Sequence, residues 1–271
     1  MDNLKLSDLI IMSDIDGTLL ENPGWVHKRN IDAIRRFVDI GGRFALATGR
    51  AMSFVSRLVE EMPVNFPCVL CNGCIIYDYG TGKVLLKKYM PDTVLSHLQS
   101  ILKRFPKIGI LLVDDEHYND VDGNYISTFA DNPISNIIRP IKFDAIEGPY
   151  YKVVFITTHQ DDQAFAGYVN DINFTDVRLI TTAKHMYEII PSCVSKGSAL
   201  EYLTKKGMAD REQFVAIGDY YNDKEMLSYA GISATMASSP EDLKRLCRYI
   251  VCECRDGSLA DLIDKLERDF T

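Results

Sequence analysis

The strongest constraint on this chain is an alternation. Short apolar runs of strand length take turns with segments of helical spacing, once near the start and again near the end. Residues 9–13 read as a buried strand. Residues 30–40 place Ile31, Ile34, Phe37 and Val38 at helical spacing, and Gly41-Gly42 stops them. A second strand is predicted over 44–47 and a second helix over 53–61, with Phe54, Val55, Leu58 and Val59 on one face. A third strand is predicted over 68–70. This β-α-β-α-β order predicts a parallel sheet covered by helices on both faces. The pattern returns as a helix over 196–206, a strand over 214–217, a helix over 223–230 and a strand over 232–235. A helical turn at 243–246, a strand at 249–251 and a helix at 259–266 close the chain.

The middle reads differently. Strands are expected at 84–86, 108–113, 153–158, 178–181 and 187–190, helices at 92–104 and around 162–169, and a polar turn over 114–123. The predicted fold is therefore α/β: a doubly wound parallel-sheet core, residues 1–82 and 189–271, with an α+β domain inserted over 83–188. A length of 271 residues suits two domains, at roughly 100–200 residues each.

Composition narrows the partners. Thirty Lys and Arg stand against 38 Asp and Glu, a net charge of −8. A general nucleic-acid binder needs a basic face, so none is expected. No apolar run approaches the ~18 residues that span a bilayer, and the N-terminus lacks a basic, then apolar, leader. The expected location is the cytoplasm, with no membrane partner. Seven cysteines disfavour a complete disulfide framework. Cys68, Cys71 and Cys74 form C-x2-C-x2-C, but they lie among apolar residues and lack a nearby fourth ligand. They are expected to be small buried thiols.

Chemistry is expected where strands end, because ligands of doubly wound sheets bind at the carboxyl ends of the strands. Asp14-Ile15-Asp16-Gly17-Thr18 follows the first strand and offers two carboxylates at i and i+2. It lacks the middle position of a calcium loop. Alone, it reads equally as a site or a turn. Ala47-Thr48-Gly49-Arg50 follows the second strand and opens a helix, a place suited to a phosphate or to an ordinary cap. Gly218-Asp219-Tyr220-Tyr221-Asn222-Asp223 follows a later strand and supplies hard oxygens of the kind Mg2+ takes. Lys196 stands at a predicted helix start after Pro191.

Jointly, these four segments resemble the haloacid dehalogenase (HAD) phosphohydrolase superfamily. Asp14–Thr18 is similar to its D-x-D-G-T motif, Thr48 to its second-motif threonine, Lys196 to its third-motif lysine and Gly218–Asp223 to G-D-x-x-N-D. Asn72-Gly73 resembles the N-G of one subgroup. Motif order, spacing and length resemble the Cof-type, class IIB chains, whose Rossmann-like core carries a large cap.

The resemblance implies a Mg2+-dependent phosphatase of small phosphorylated metabolites, sugar phosphates above all. It implies that Asp14 attacks phosphorus, that Asp16 moves protons, and that Thr48 and Lys196 hold the phosphoryl oxygens, with Gly49, Arg50, Asn72 and Asn222 beside the substrate. Mg2+ would lie on Asp14, the Asp16 carbonyl and Asp219, with Asn222 and Asp223 in or next to its shell. A phosphosugar mutase of the same fold, or a non-catalytic phosphoryl-accepting module, are the alternatives. Asp16 favours hydrolysis over a P-type ATPase, which carries a non-acidic residue there, and over a receiver module, which needs no acid or base there. Met236-Ala237-Ser238-Ser239-Pro240 departs from the G-N-A-like stretch of Cof-type chains. That departure is expected to alter activity, not to abolish it.

Overall fold

A computed structural model describes residues 4–21, 25–125, 138–172 and 174–270. The chain divides into two compact units, residues 1–50, 54–87 and 195–271 in one, 51–53 and 88–194 in the other. The first stretch runs β1 (Ile10–Ser13), α1 (Lys28–Asp39), β2 (Arg43–Leu46), α2 (Met52–Glu61), β3 (Cys68–Leu70), β4 (Ile75–Asp78) and β5 (Lys83–Lys87). The second unit adds α3 (Val94–Arg104), β6 (Gly109–Val113), β7 (Tyr118–Val121), β8 (Ile138–Ile141), β9 (Lys152–Ile156), α4 (Asp162–Asp171), β10 (Val177–Ala183) and β11 (Met186–Pro191). The returning chain supplies α5 (Lys196–Lys205), β12 (Phe214–Ile217), α6 (Lys224–Tyr229), β13 (Ile232–Met236), α7 (Glu241–Leu246), β14 (Tyr249–Val251) and α8 (Ser258–Phe270).

In the first unit five parallel strands lie in the order β14-β13-β12-β1-β2. β1 is flanked by β12 and β2 and buried at every position, which is why it reads as a continuous apolar run rather than an alternating one. Helices α1 and α8 pack together, as do α5 and α6. In α1 the buried positions are Asn30, Ala33, Ile34 and Phe37, one face at helical spacing. In α8 they include Leu259, Leu262, Ile263 and Leu266. This is the doubly wound α/β core that the alternation predicts.

The third predicted strand differs. β3 touches β2 through a single parallel bridge, Ala47 to Val69, and its main partner is antiparallel β4. The cause is local. Cys71, Asn72 and Gly73 have φ of 48°, 56° and 104°, so the chain reverses and lays Ile75 against Leu70. β5 completes this three-stranded sheet. Strand pairing also moves the boundaries. Residue 83 lies inside β5, held to β4 of the first unit, and residue 189 lies inside β11 of the second.

The second unit is α+β, a six-stranded sheet in the order β10-β11-β9-β6-β7-β8. The segment expected as a turn over 114–123 contains strand β7, paired with β6. Its polar residues concealed it: the Asn119 amide donates to the Leu112 carbonyl at 3.0 Å and to Asp114 at 2.8 Å. β8 runs parallel to β7 and was not anticipated, since Pro140 and its partly exposed side chains weaken the strand signal. One sheet face packs on α3 and α4 through Leu98, Ile101, Phe155, Phe165 and Ile189. No helix among the described residues is long and apolar enough to cross a membrane.

Phe165 is fully buried, with ring centroids of Phe105, Phe155 and Tyr187 at 5.6, 5.2 and 5.3 Å. Phe165→Ala is expected to destabilise the second unit by about 3–5 kcal/mol. Chemical denaturation followed by tyrosine fluorescence measures this; a loss below about 1 kcal/mol would contradict the packing described.

Candidate active site

Parallel register brings the candidate residues together. Ser13 stands level with Ile217 on one side and Leu46 on the other, so β1, β2 and β12 end side by side. The loops that follow are stitched to their neighbours: Asp14 N–H donates to the Ile217 carbonyl at 2.9 Å and Ala47 N–H to the Ser13 carbonyl at 2.7 Å. Asp14, Asp16, Thr48 and Asp219 therefore follow the carboxyl ends of neighbouring strands, at one end of the sheet.

Lys196 is the link between the segments. It starts α5, whose cap is made by Ser195 and Ser198, each side chain accepting the other's backbone N–H at 2.9 and 2.8 Å. The Lys196 side chain is fully buried, and Nζ donates to Asp14 Oδ1 and Asp223 Oδ1, both at 2.6 Å. Burial alone would lower the lysine; the two carboxylates overcome it and raise Lys196 above its ordinary range. Burial pushes Asp14 well above the usual carboxylate range, Lys196 opposes that, and the Asp223, Asp219 and Asp16 charges reinforce it.

Asp223 orients as well as charges the site. Its Oδ2 accepts the backbone N–H groups of Asp219 and Tyr220 at 3.1 and 3.3 Å, closing the loop on itself. Asp219 accepts a 3.2 Å bond from the Thr18 hydroxyl on Oδ1. A Cβ on Gly17 would lie 2.5 Å from Asp219 Oδ2, and the φ of Gly17 is +77°. Only glycine lets the first loop pass that close to the carboxylate.

Oxygens of Asp14, Asp219 and Asp223 all lie within 4.8 Å of one another. Three carboxylates against one lysine leave a net negative cluster of hard donors, a set that fits a divalent cation such as Mg2+. Asp14 and Asp219 each commit one oxygen to a protein partner, whereas both Asp223 oxygens are committed. The Asp16 carboxylate is outside the cluster. It faces Arg50, which pairs with both of its oxygens.

Thr48 is fully buried; its hydroxyl accepts the Arg50 N–H at 3.1 Å, and its carbonyl accepts the Asn72 N–H at 2.9 Å. Asn72, left-handed and buried, accepts a 3.4 Å bond from the Asn222 amide. Its amide would be 3.1 Å from a Cβ on Gly49. Thr48, Gly49, Asn72 and Asn222 thus form one connected patch. The motif spacing alone gave no sign of two braces. Thr18 reaches a partner 201 positions away, and Ser258 donates to the Thr18 carbonyl at 2.6 Å. In the departing 236–240 stretch, the loop is braced by the Thr235 hydroxyl on the Gly218 carbonyl at 2.7 Å and by Ser238 on Glu253. Cys68, Cys71 and Cys74 are buried and form no disulfide with one another, and burial pushes the Cys68 thiol up to about 12.

Comparison with known proteins gives consistent likenesses. The profile of a family described as haloacid dehalogenase-like hydrolase matches residues 11–263. The 5-amino-6-(5-phospho-D-ribitylamino)uracil phosphatase of Bacillus subtilis is 25% identical over 264 residues, 95% of this chain and 97% of its own. A haloacid dehalogenase-like hydrolase from Bacteroides thetaiotaomicron superposes with a TM-score of 0.80 at 22% identity, over 95% of this chain and 99% of its own. A HAD subclass IIB sugar phosphatase superposes with a TM-score of 0.80 at 16% identity, over 96% and 99% of the two chains.

Asp219 is pushed up to about 6 by burial and by the Asp223 charge, from an ordinary 3.8. Between those values the folded, metal-free protein keeps a proton that the unfolded chain has released. Its stability therefore falls as pH rises through that window, and the penalty is complete above it. Asp219→Asn is neutral throughout. In chelator near pH 7.5 it is expected to be more stable than wild type by up to about 3 kcal/mol, with the gap closing toward about pH 4. Urea denaturation at both pH values checks this, and an equal gap at both would refute the electrostatic origin.

Proposed function

The chain belongs to the haloacid dehalogenase-like hydrolases, and on that premise we propose that it is a Mg2+-dependent phosphatase of small phosphorylated metabolites, sugar phosphates foremost, working through an aspartyl-phosphate on Asp14. The observation that carries this reading is the buried bridge of Lys196 to Asp14 and Asp223 beside Asp219. It supplies a carboxylate nucleophile, a fixed cation and a hard-oxygen metal site in one crevice.

Asp14, Asp219 and the Asp16 carbonyl would hold the Mg2+, with Asn222 and Asp223 beside it. When bound, the ion offsets the repulsion between an anionic carboxylate and an anionic phosphate. A carboxylate oxygen of Asp14 attacks phosphorus as the bond to the leaving oxygen breaks. Asp16 gives that oxygen a proton, then takes one from the water that hydrolyses the acyl phosphate, so one group serves both proton transfers. Inorganic phosphate leaves and Asp14 returns as carboxylate. Thr48, Lys196 and the patch of Gly49, Asn72 and Asn222 cradle the phosphoryl oxygens, with Arg50 beside them, and Lys196 stabilises charge spread over them. Asp223 keeps Lys196 and the Asp219 loop in place. The named activities of the relatives, on a ribitylaminouracil phosphate and on sugar phosphates, support the substrate class. We assign choice of the leaving group to the second unit.

A panel of sugar and other alkyl phosphates with Mg2+ tests the reading. Wild type is expected to release phosphate, and Asp14→Asn to lose activity at least about 1,000-fold while still folding. Equal rates for the two proteins would sink the proposal. Chelation is expected to stop turnover and added Mg2+ to restore it. Because ligation needs ionised carboxylates, Mg2+ affinity measured calorimetrically should weaken as pH falls below the value of about 6 for Asp219. Affinity independent of pH there would count against Asp219 as a ligand.

A further inference from the structure

Asp16 is held differently from the other acids of the site. Its side chain is 44% exposed, yet it is gripped by a partner whose own side chain is only 14% exposed. Arg50 Nε donates to Asp16 Oδ2 at 2.7 Å, and Nη2 donates to Oδ1. This is a bidentate fork, which fixes the plane of a carboxylate as well as its position. The fork is itself anchored. Its central carbon lies 3.7 Å from the centroid of the Phe54 ring. The Arg50 backbone is pinned at both ends, its N–H by the Thr48 hydroxyl at 3.1 Å and its carbonyl by Cys71 N–H at 3.0 Å. The remaining nitrogen, Nη1, is buried without a hydrogen-bond partner among the described residues. The guanidinium thus spends its paired edge on a side chain of the site.

An exposed aspartate left alone samples several rotamers. A proton-transfer group has to lie about 2.6–3.2 Å from the atom it serves, and small misplacements are costly in rate. From these contacts we propose that Arg50 is a positioning residue for Asp16: its fork, seated on Phe54, sets the orientation in which the Asp16 carboxylate serves the leaving-group oxygen. This inference rests on the reading of Asp16 as the acid and base of a phosphatase. A lysine in place of Arg50 keeps the charge but not the plane, so it does not substitute.

The test compares kcat/KM for a turned-over alkyl phosphate with that for p-nitrophenyl phosphate. This parameter covers the steps up to leaving-group departure, and p-nitrophenolate departs without a proton. A residue that orients the acid therefore moves the ratio of the two values; one that only binds phosphate or supports the fold moves both equally. Arg50→Lys and Arg50→Gln are expected to lower the ratio at least about tenfold. Phe54→Leu, which leaves the site's polar groups intact, is expected to lower it about threefold. In an Asp16→Asn background, Arg50→Gln is expected to change the ratio by less than about twofold, because its route of action is gone. Equal losses on both substrates, or an undiminished effect in the Asp16→Asn background, would overturn the proposal. A wild-type protein inert on both substrates would overturn the phosphatase reading, and this inference with it.

Discussion

The buried ammonium of Lys196 is the contact on which the site depends. Three carboxylates, Asp14, Asp219 and Asp223, converge in one cluster, where burial and neighbouring negative charge disfavour ionisation of Asp14 and Asp219. Lys196 meets two of them at 2.6 Å and is itself removed from water. A buried ion pair of this kind contributes little net stability, because desolvation opposes it. Its consequence is geometric: it fixes two loops that leave different strands against one helix start. The cluster still carries more acidic than basic groups, an excess that a bound divalent cation would relieve. Structure and chemistry are joined at that point, since the charge arrangement that strains the metal-free fold is the one that would receive an anionic phosphate.

The scaffold meets this demand through backbone rather than bulk. β1, β2 and β12 end level because they are parallel neighbours in register. Gly17 then lets the first loop pass against Asp219. At Gly218 a Cβ would sit 2.3 Å from the Asp223 carboxyl carbon. Small residues at these turns allow four chain segments to share one crevice, and the hydroxyls of Thr18, Ser258 and Thr235 hold the loops there.

Much of this was legible in the residues. The apolar runs located β1 and β12, because a strand buried on both faces leaves a near-continuous apolar signature, and the alternation with helical segments located β2, β13 and β14 beside them. The acids lay at strand ends, so their convergence followed from the sheet type. Other features were not legible. β7 hides behind Asn119 and Asp120, polar side chains whose bonding partners make burial tolerable but whose names suggest a turn. The reversal at residues 71–73 redirected β3 into a second sheet, and nothing in Cys71 marks a left-handed backbone.

The sequence by itself determined the doubly wound core, the inserted α+β region and the identity of the acids, because hydrophobic period and motif spacing are local properties. Tertiary structure decided what each acid is bonded to. It placed Asp223 behind Lys196 with both oxygens occupied, left one oxygen each on Asp14 and Asp219, and turned Asp16 to Arg50. Those contacts depend on which groups lie within hydrogen-bond reach across separations of up to 201 residues. Distances of that kind are set by packing, and no local pattern records them.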